Sequence, residues 1–96
     1  MTVNMWKFRV KEGHDKAFVE MNEYAWPDLF SLSPGYQGTE IGRSVDDLRV
    51  YLIRDIWSSK DDFDEFIDVH NAEYDELDSR HKEHYESAEH IGWFDI

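Results

Sequence analysis

His70 is the first side chain in this sequence with both the chemistry and the setting for catalysis. It falls on a helical stripe with Phe63, Phe66 and Ile67, where a polar group needs a reason to sit. An imidazole titrating near neutrality suits abstraction of a phenolic proton, and the imidazolium so formed would stabilise the anion. The competing reading is a helix-end histidine bonded to backbone. Trp57 ends an apolar strand, where its ring could wall a pocket and its indole N–H could donate to a substrate oxygen. Packing alone is the alternative. Tyr51, on the same strand face, could donate a phenolic proton to the same space. Trp26 and Phe30 could form a movable lip, with Phe63 and Phe66 as further walls, or all four could simply pack helix on sheet. Arg54 stands inside the apolar strand. Buried charges are usually paired, so either Glu40 on the neighbouring strand holds it or it anchors an anionic substrate. Asn4 and Asn71 could polarise an oxygen, but such amides also serve as caps and turns.

Other chemistries lack their residues. There is no cysteine, which removes disulfides, thiolate nucleophiles and cysteine–zinc sites. His81 and His84 are neighbours on a helix, but no HExxH-type spacing accompanies them, and in so acidic a stretch they read as solvated, with no metal expected. Gly35, Gly38 and Gly42 belong to a turn and a strand, not to a phosphate loop after a strand, which disfavours nucleotide or flavin binding through a dinucleotide fold. A formal net charge of −12, from 10 basic and 22 acidic residues, argues against nucleic acid and anionic membranes as partners. No signal-like or spanning segment is evident, which leaves the cytoplasm as the expected location.

These side chains need elements to position them. Val50–Trp57 (VYLIRDIW) is the most continuously apolar run. Val50, Leu52 and Ile56 fall on one side with Arg54, and Tyr51, Ile53 and Trp57 on the other with Asp55. With neither side cleanly polar, it is expected to be a central strand covered on both faces. One layer of helices can cover only one of them, and a second copy of the chain is expected on the other. Met5–Val10 alternates as a first strand. A helix from His14-Asp15 carries Ala17, Phe18, Met21, Tyr24 and Ala25 inward, with a kink at Pro27. Pro34-Gly35 turns into a strand over Tyr36–Arg43, and Ser44–Leu48 is a hairpin loop. Ser58 or Ser59 caps a second helix, with Asp61 and Asp62 in its first turn. Asn71 is a candidate break, followed by a stretch with Tyr74, Leu77, His81, Tyr85 and Ala88 on one side. Glu89–Ile96 is the last strand. The order β-α-β-β-α-β is the ferredoxin-like arrangement, an α+β fold with a four-stranded antiparallel sheet, expected as one domain over residues 1–96.

Trp6–Val10, Pro34-Gly35-Tyr36, Tyr51 and the run Trp57-Ser58-Ser59-Lys60-Asp61-Asp62-Phe63 resemble the antibiotic biosynthesis monooxygenase family of dimeric α/β barrels. The resemblance covers nearly the whole chain. It implies a homodimer with the two sheets face to face and a pocket between each sheet and its helices. Some members oxidise aromatic polyketides or hydroquinones with dioxygen and no flavin, haem or metal, the ionised ring itself reducing oxygen while the protein orients it and stabilises the anion. It also implies a histidine at the position of His70, thirteen residues after Trp57. A haem-degrading branch uses Asn, Trp and His where this chain has Trp6, Phe66 and Glu76 or Asp78, so haem chemistry is not implied.

Three functions remain open on the sequence. The first is a cofactor-independent monooxygenase for a small phenolic, quinol or polyketide-like compound, with His70 as base. The second is a binder of a small aromatic molecule that performs no chemistry. The third is a purely structural dimer whose aromatics leave no pocket.

Overall fold

The computed structural model describes residues 1–96. Strand β1 (Thr2–Val10) is followed by a helical layer of three pieces: α1 (Asp15–Glu20), a π-helical turn over Met21–Ala25, and α2 (Trp26–Phe30). The hairpin of β2 (Tyr36–Arg43) and β3 (Val50–Trp57) comes next. Helix α3 (Lys60–His81) and a 3-10 turn (Lys82–His84) then lead into β4 (Tyr85–Asp95). The strands form one antiparallel sheet in the order β2-β3-β1-β4, which is the ferredoxin-like α+β fold.

Local chemistry sets the boundaries. Ser59 caps α3, accepting from the Asp62 N–H at 3.2 Å, and Asp61 and Asp62 place negative charge at the helix start. The break in α3 falls on His70 (φ −120°, ψ 30°), one residue before the expected Asn71. Strand β4 starts four residues earlier than expected, because Val10 at the far end of β1 pairs with Tyr85. Tyr85 and Ala88 are therefore strand residues, yet they keep the inward side expected of them.

In the first helical layer the spacing explains the π turn. Phe18, Asn22, Trp26 and Phe30 are each four residues apart and all are buried. In an α-helix such a row drifts about 40° per step. The wider π turn takes back part of that drift, so all four stay over the sheet. Tyr24, expected inward, is left facing solvent for the same reason.

The helices cover one face of the sheet. Its central rows there are Arg43–Tyr51–Phe8, Ile41–Ile53–Trp6, Thr39–Asp55–Asn4 and Tyr36–Trp57–Thr2. The third row is polar, and the apolar core splits on either side of it. Phe8, Val10, Phe18, Tyr51 and Ile53 form one cluster; Trp26, Phe30, Trp57, Phe66 and Leu77 form the other. The opposite face carries Met5, Val50, Leu52 and Ile56, with Arg54 held by Glu40 at 2.8 Å as the sequence led us to expect.

The Pro34-Gly35 turn leans on the start of α3. Gly35 is buried, its carbonyl accepts from the Ser58 N–H at 2.8 Å, and a Cβ there would lie 2.5 Å from the Asp62 Cβ. Gly35→Ala is expected to lower stability by about 1–3 kcal/mol through overpacking. Asp62→Gly in the Gly35→Ala background removes the clashing atom and should recover part of that loss in a denaturant titration. No recovery would mean that the turn fails for another reason.

Candidate functional site

Between the two core clusters lies a cavity of about 360 Å³. Trp6, Phe8, Trp26, Phe30, Ile53 and Phe63 are among its apolar walls. Only four polar side chains in the chain are buried, and all four line it: Asn4, Asn22, Asp55 and His81. Buried polar groups are costly unless satisfied, and their gathering around one space is the pattern of a binding site.

His81 sits in an aromatic cage. Its ring stacks on Phe18 at 5.2 Å and meets Phe8, Trp26 and Tyr85 edgewise or tilted at 5.1 to 5.7 Å. Burial, with a smaller push from His84, presses its pKa down to about 4 against an opposing pull from Asp78, so it is neutral at physiological pH. Asn22 lies 2.9 Å from the Phe18 carbonyl and 3.0 Å from His81 Nε2 through the same amide nitrogen, which donates to both. That assigns Nε2 as the acceptor and puts the ring proton on Nδ1, where it has no protein partner. The same bond ties the π turn to the end of α3.

Asp55 is the opposite case. Its Oδ1 accepts from Thr39 Oγ1 at 2.7 Å, and Thr39 accepts in turn from the Tyr36 hydroxyl at 2.5 Å. No cation pairs with it. Burial pushes its pKa up to about 6, with the Thr39 hydroxyl pulling the other way. Asn4, its neighbour across the sheet, turns its Oδ1 to His90 Nε2 at 2.6 Å. Tyr74, also on the cavity wall, is raised to about 12 by burial and by the charges of Asp78 and Asp55, and so stays a neutral donor.

The residues singled out from the sequence divide into two groups. Asn4, Trp26, Phe30 and Phe63 line the cavity. Tyr51, Trp57, Phe66, Arg54, His70 and the exposed Asn71 are placed elsewhere. The Tyr51 hydroxyl is engaged by Asp15 at 2.8 Å, and the Arg43 guanidinium lies 5.4 Å from the ring centre. Trp57 is fully buried between Phe30, Tyr36, Phe63 and Phe66, and its Nε1 is the one enclosed side-chain polar atom without a partner. Phe66 packs beside it. Arg54 is on the far face of the sheet. His70 lies in a surface depression with Leu32, Pro34, Phe66 and Val69, its Nδ1 2.9 Å from Glu73, and the helix breaks at this residue. His81, read as solvated, is 3% exposed.

The sequence reading passed over Asn22, Asp55 and His81 as site residues. For His81 the signal was present in its helical spacing from Tyr74 and Leu77. For Asn22 it lay in the four-residue spacing to Phe18, Trp26 and Phe30.

The family described as antibiotic biosynthesis monooxygenase matches residues 1–69. No curated protein matches the sequence. Among solved structures, the chain is similar to SnoaB, a cofactor-independent oxygenase from Streptomyces nogalater, at 18% identity and a TM-score of 0.78, over 99% of this chain and 91% of that one. A Shewanella oneidensis protein is similar at 22% identity and a TM-score of 0.74, over 97% and 87% of the two chains. A conserved protein from Methanosarcina mazei matches at 12% identity and a TM-score of 0.71, over 98% and 91%. At these identities the likeness is one of fold.

The Asp55 environment has a measurable cost. The unfolded chain releases this proton near the ordinary value of 3.8 and the folded chain only near 6, so the folded state binds more protons between those values. Stability from this group is thus highest in acid, falls as pH rises through that window, and is level above it. Asp55→Asn keeps the shape and removes the charge. It is expected to raise stability by on the order of 2 kcal/mol at pH 8, a gain that fades toward about pH 4. Equal denaturation midpoints for the two proteins at pH 8 would contradict it.

Proposed function

We propose, for a chain that belongs to the antibiotic biosynthesis monooxygenase family, that it oxidises a small hydroxyaromatic compound with dioxygen in the cavity between sheet and helices, without a cofactor. The observation that carries this reading is the convergence of all four buried polar side chains on one aromatic-walled space. An ionised phenol is electron-rich enough to reduce dioxygen itself. In the overall change, phenol and dioxygen give quinone and water: one oxygen atom enters the ring carbonyl, the other leaves as water, and the ring supplies all the electrons. The protein's task is to dry the ring, orient it and stabilise its anion. Trp6, Trp26, Phe30 and Phe63 form the walls, while the free Nδ1–H of His81 and the hydroxyl of Tyr74 supply donors for an oxyanion. The proton acceptor is sought among the cavity's own groups, since His70 lies outside it.

Binding without turnover remains the second reading, and one assay separates the two. With 1-naphthol under isotopically labelled dioxygen, the protein is expected to form 1,4-naphthoquinone carrying one labelled oxygen. Ala88→Phe, which fills the cavity from β4, should lower the rate about tenfold or more. Quinone formation no faster than without protein would overturn the oxygenase reading; saturable naphthol binding in that case would leave the binder.

The sheet face away from the helices is proposed to pair with a second copy. It presents Met5, Val50, Leu52, Ile56 and Phe94 around the Arg54–Glu40 ion pair, with no helix over them. Light scattering after size exclusion is expected to give twice the chain mass, and Leu52→Arg the single-chain mass, since an unpaired charge would be buried at the interface. A wild-type monomer at micromolar concentration would refute the pairing.

A further inference from the structure

Asp55 is the one buried carboxylate in the chain, and it is under-satisfied. It is 8% exposed and has one protein donor, Thr39, on Oδ1. An ionised carboxylate offers about four lone-pair sites and is normally met by several donors or by a cation when buried. The surrounding groups are not candidates for that role. Tyr36 on β2 is spent on Thr39, Lys82 beyond α3 pairs with Asp78 at 3.3 Å, and His81 is neutral. Tyr74 and Asp78 on α3 are, respectively, raised by the Asp55 charge and like-charged with it. Oδ2 has no partner, and it is not sealed in, because the only enclosed polar side-chain atom without one is Trp57 Nε1. A reachable, unpaired carboxylate oxygen at the floor of an aromatic cavity calls for a donor carried by the ligand.

We propose that Asp55 is a catalytic residue of this cavity: its free Oδ2 accepts the hydroxyl of an aromatic ligand and takes the proton as the ring ionises. The inference rests on the cavity being the site of hydroxyaromatic binding. In the step itself, the phenolic O–H bond breaks, an O–H bond forms at Oδ2, and the electron pair stays on the phenolate oxygen. No oxidant takes part. Thr39 and Tyr36 are positioning residues: the Tyr36 hydroxyl donates to Thr39, whose own hydroxyl donates to Oδ1, which holds that oxygen and leaves Oδ2 for the ligand. The ligand class follows from the same geometry: a neutral, flat compound with a hydroxyl at one edge, not an anion, which Asp55 would repel.

Equilibrium binding without oxygen tests this separately from turnover. The probes are 1-naphthol and naphthalene, read by quenching of tryptophan fluorescence, with Trp6 and Trp26 on the cavity wall. In the wild type, naphthol affinity is expected to rise as pH passes upward through about 6 and then level off, while naphthalene affinity stays flat. Asp55→Asn should weaken naphthol about tenfold or more above that pH and abolish its pH dependence, leaving naphthalene unchanged. Thr39→Val, which removes the donor that favours the ionised form, should move the midpoint of the naphthol profile upward; it carries the test if Asp55→Asn does not fold. Unchanged naphthol affinity and pH profile in Asp55→Asn, equal losses for both probes, or an unmoved midpoint in Thr39→Val would overturn the assignment. Failure of naphthalene itself to bind the wild type would instead remove the cavity reading beneath it.

Discussion

Asp55 and Asn4 stand side by side on the one sheet face that the helices cover, and nearly everything around them is aromatic or aliphatic. This polar row interrupts the packing of an otherwise continuous core. On one side Phe8, Phe18 and Tyr51 close up; on the other Trp57, Phe30 and Phe66 do. Between them no apolar side chain can sit against the carboxylate without burying its charge, so the layers stay apart and a cavity remains. The helical layer adapts to that gap: the π turn holds Asn22 in line with Phe18 and Trp26, and the Asn22–His81 bond joins the two helical segments over the opening.

The two titratable groups of the cavity pull in opposite directions. His81 resists protonation because its aromatic cage disfavours the cation. Asp55 holds its proton more tightly than usual because burial disfavours the anion. Near neutrality the result is a neutral donor and an ionised acceptor lining one largely apolar space. Stability is given up to maintain it. An Asn in place of Asp55 would pack as well and avoid a buried charge, which is why a merely structural role for the carboxylate is a poor explanation of its presence.

The architecture was legible because each element carried its own local signals. Alternation in Met5–Val10 and Val50–Trp57, the Pro34-Gly35 turn and the Ser59 cap ahead of Asp61 and Asp62 all agree with the topology they build. The site was less legible because its residues depart from regular periods. Asn22 stands four residues from Phe18 and from Trp26, and the π turn helps to keep that polar residue over the sheet. His70 belongs to an inward stripe only as long as the helix stays regular, and the backbone breaks at that residue. Asp55 read as the odd polar member of an apolar face, which is what it is; its meaning depends on Thr39, Asn4 and the cavity, brought together by strand register rather than by sequence spacing.

The most direct measurement is the titration of Asp55 itself, followed through the carbon resonance of its carboxyl group by NMR. The account predicts a midpoint near 6, well above the ordinary value of 3.8, because the carboxyl is buried with one hydroxyl donor and no cation. A midpoint at or below the ordinary value would mean that water or a cation reaches the group freely. Such a result would contradict the under-satisfied carboxylate on which the site is built.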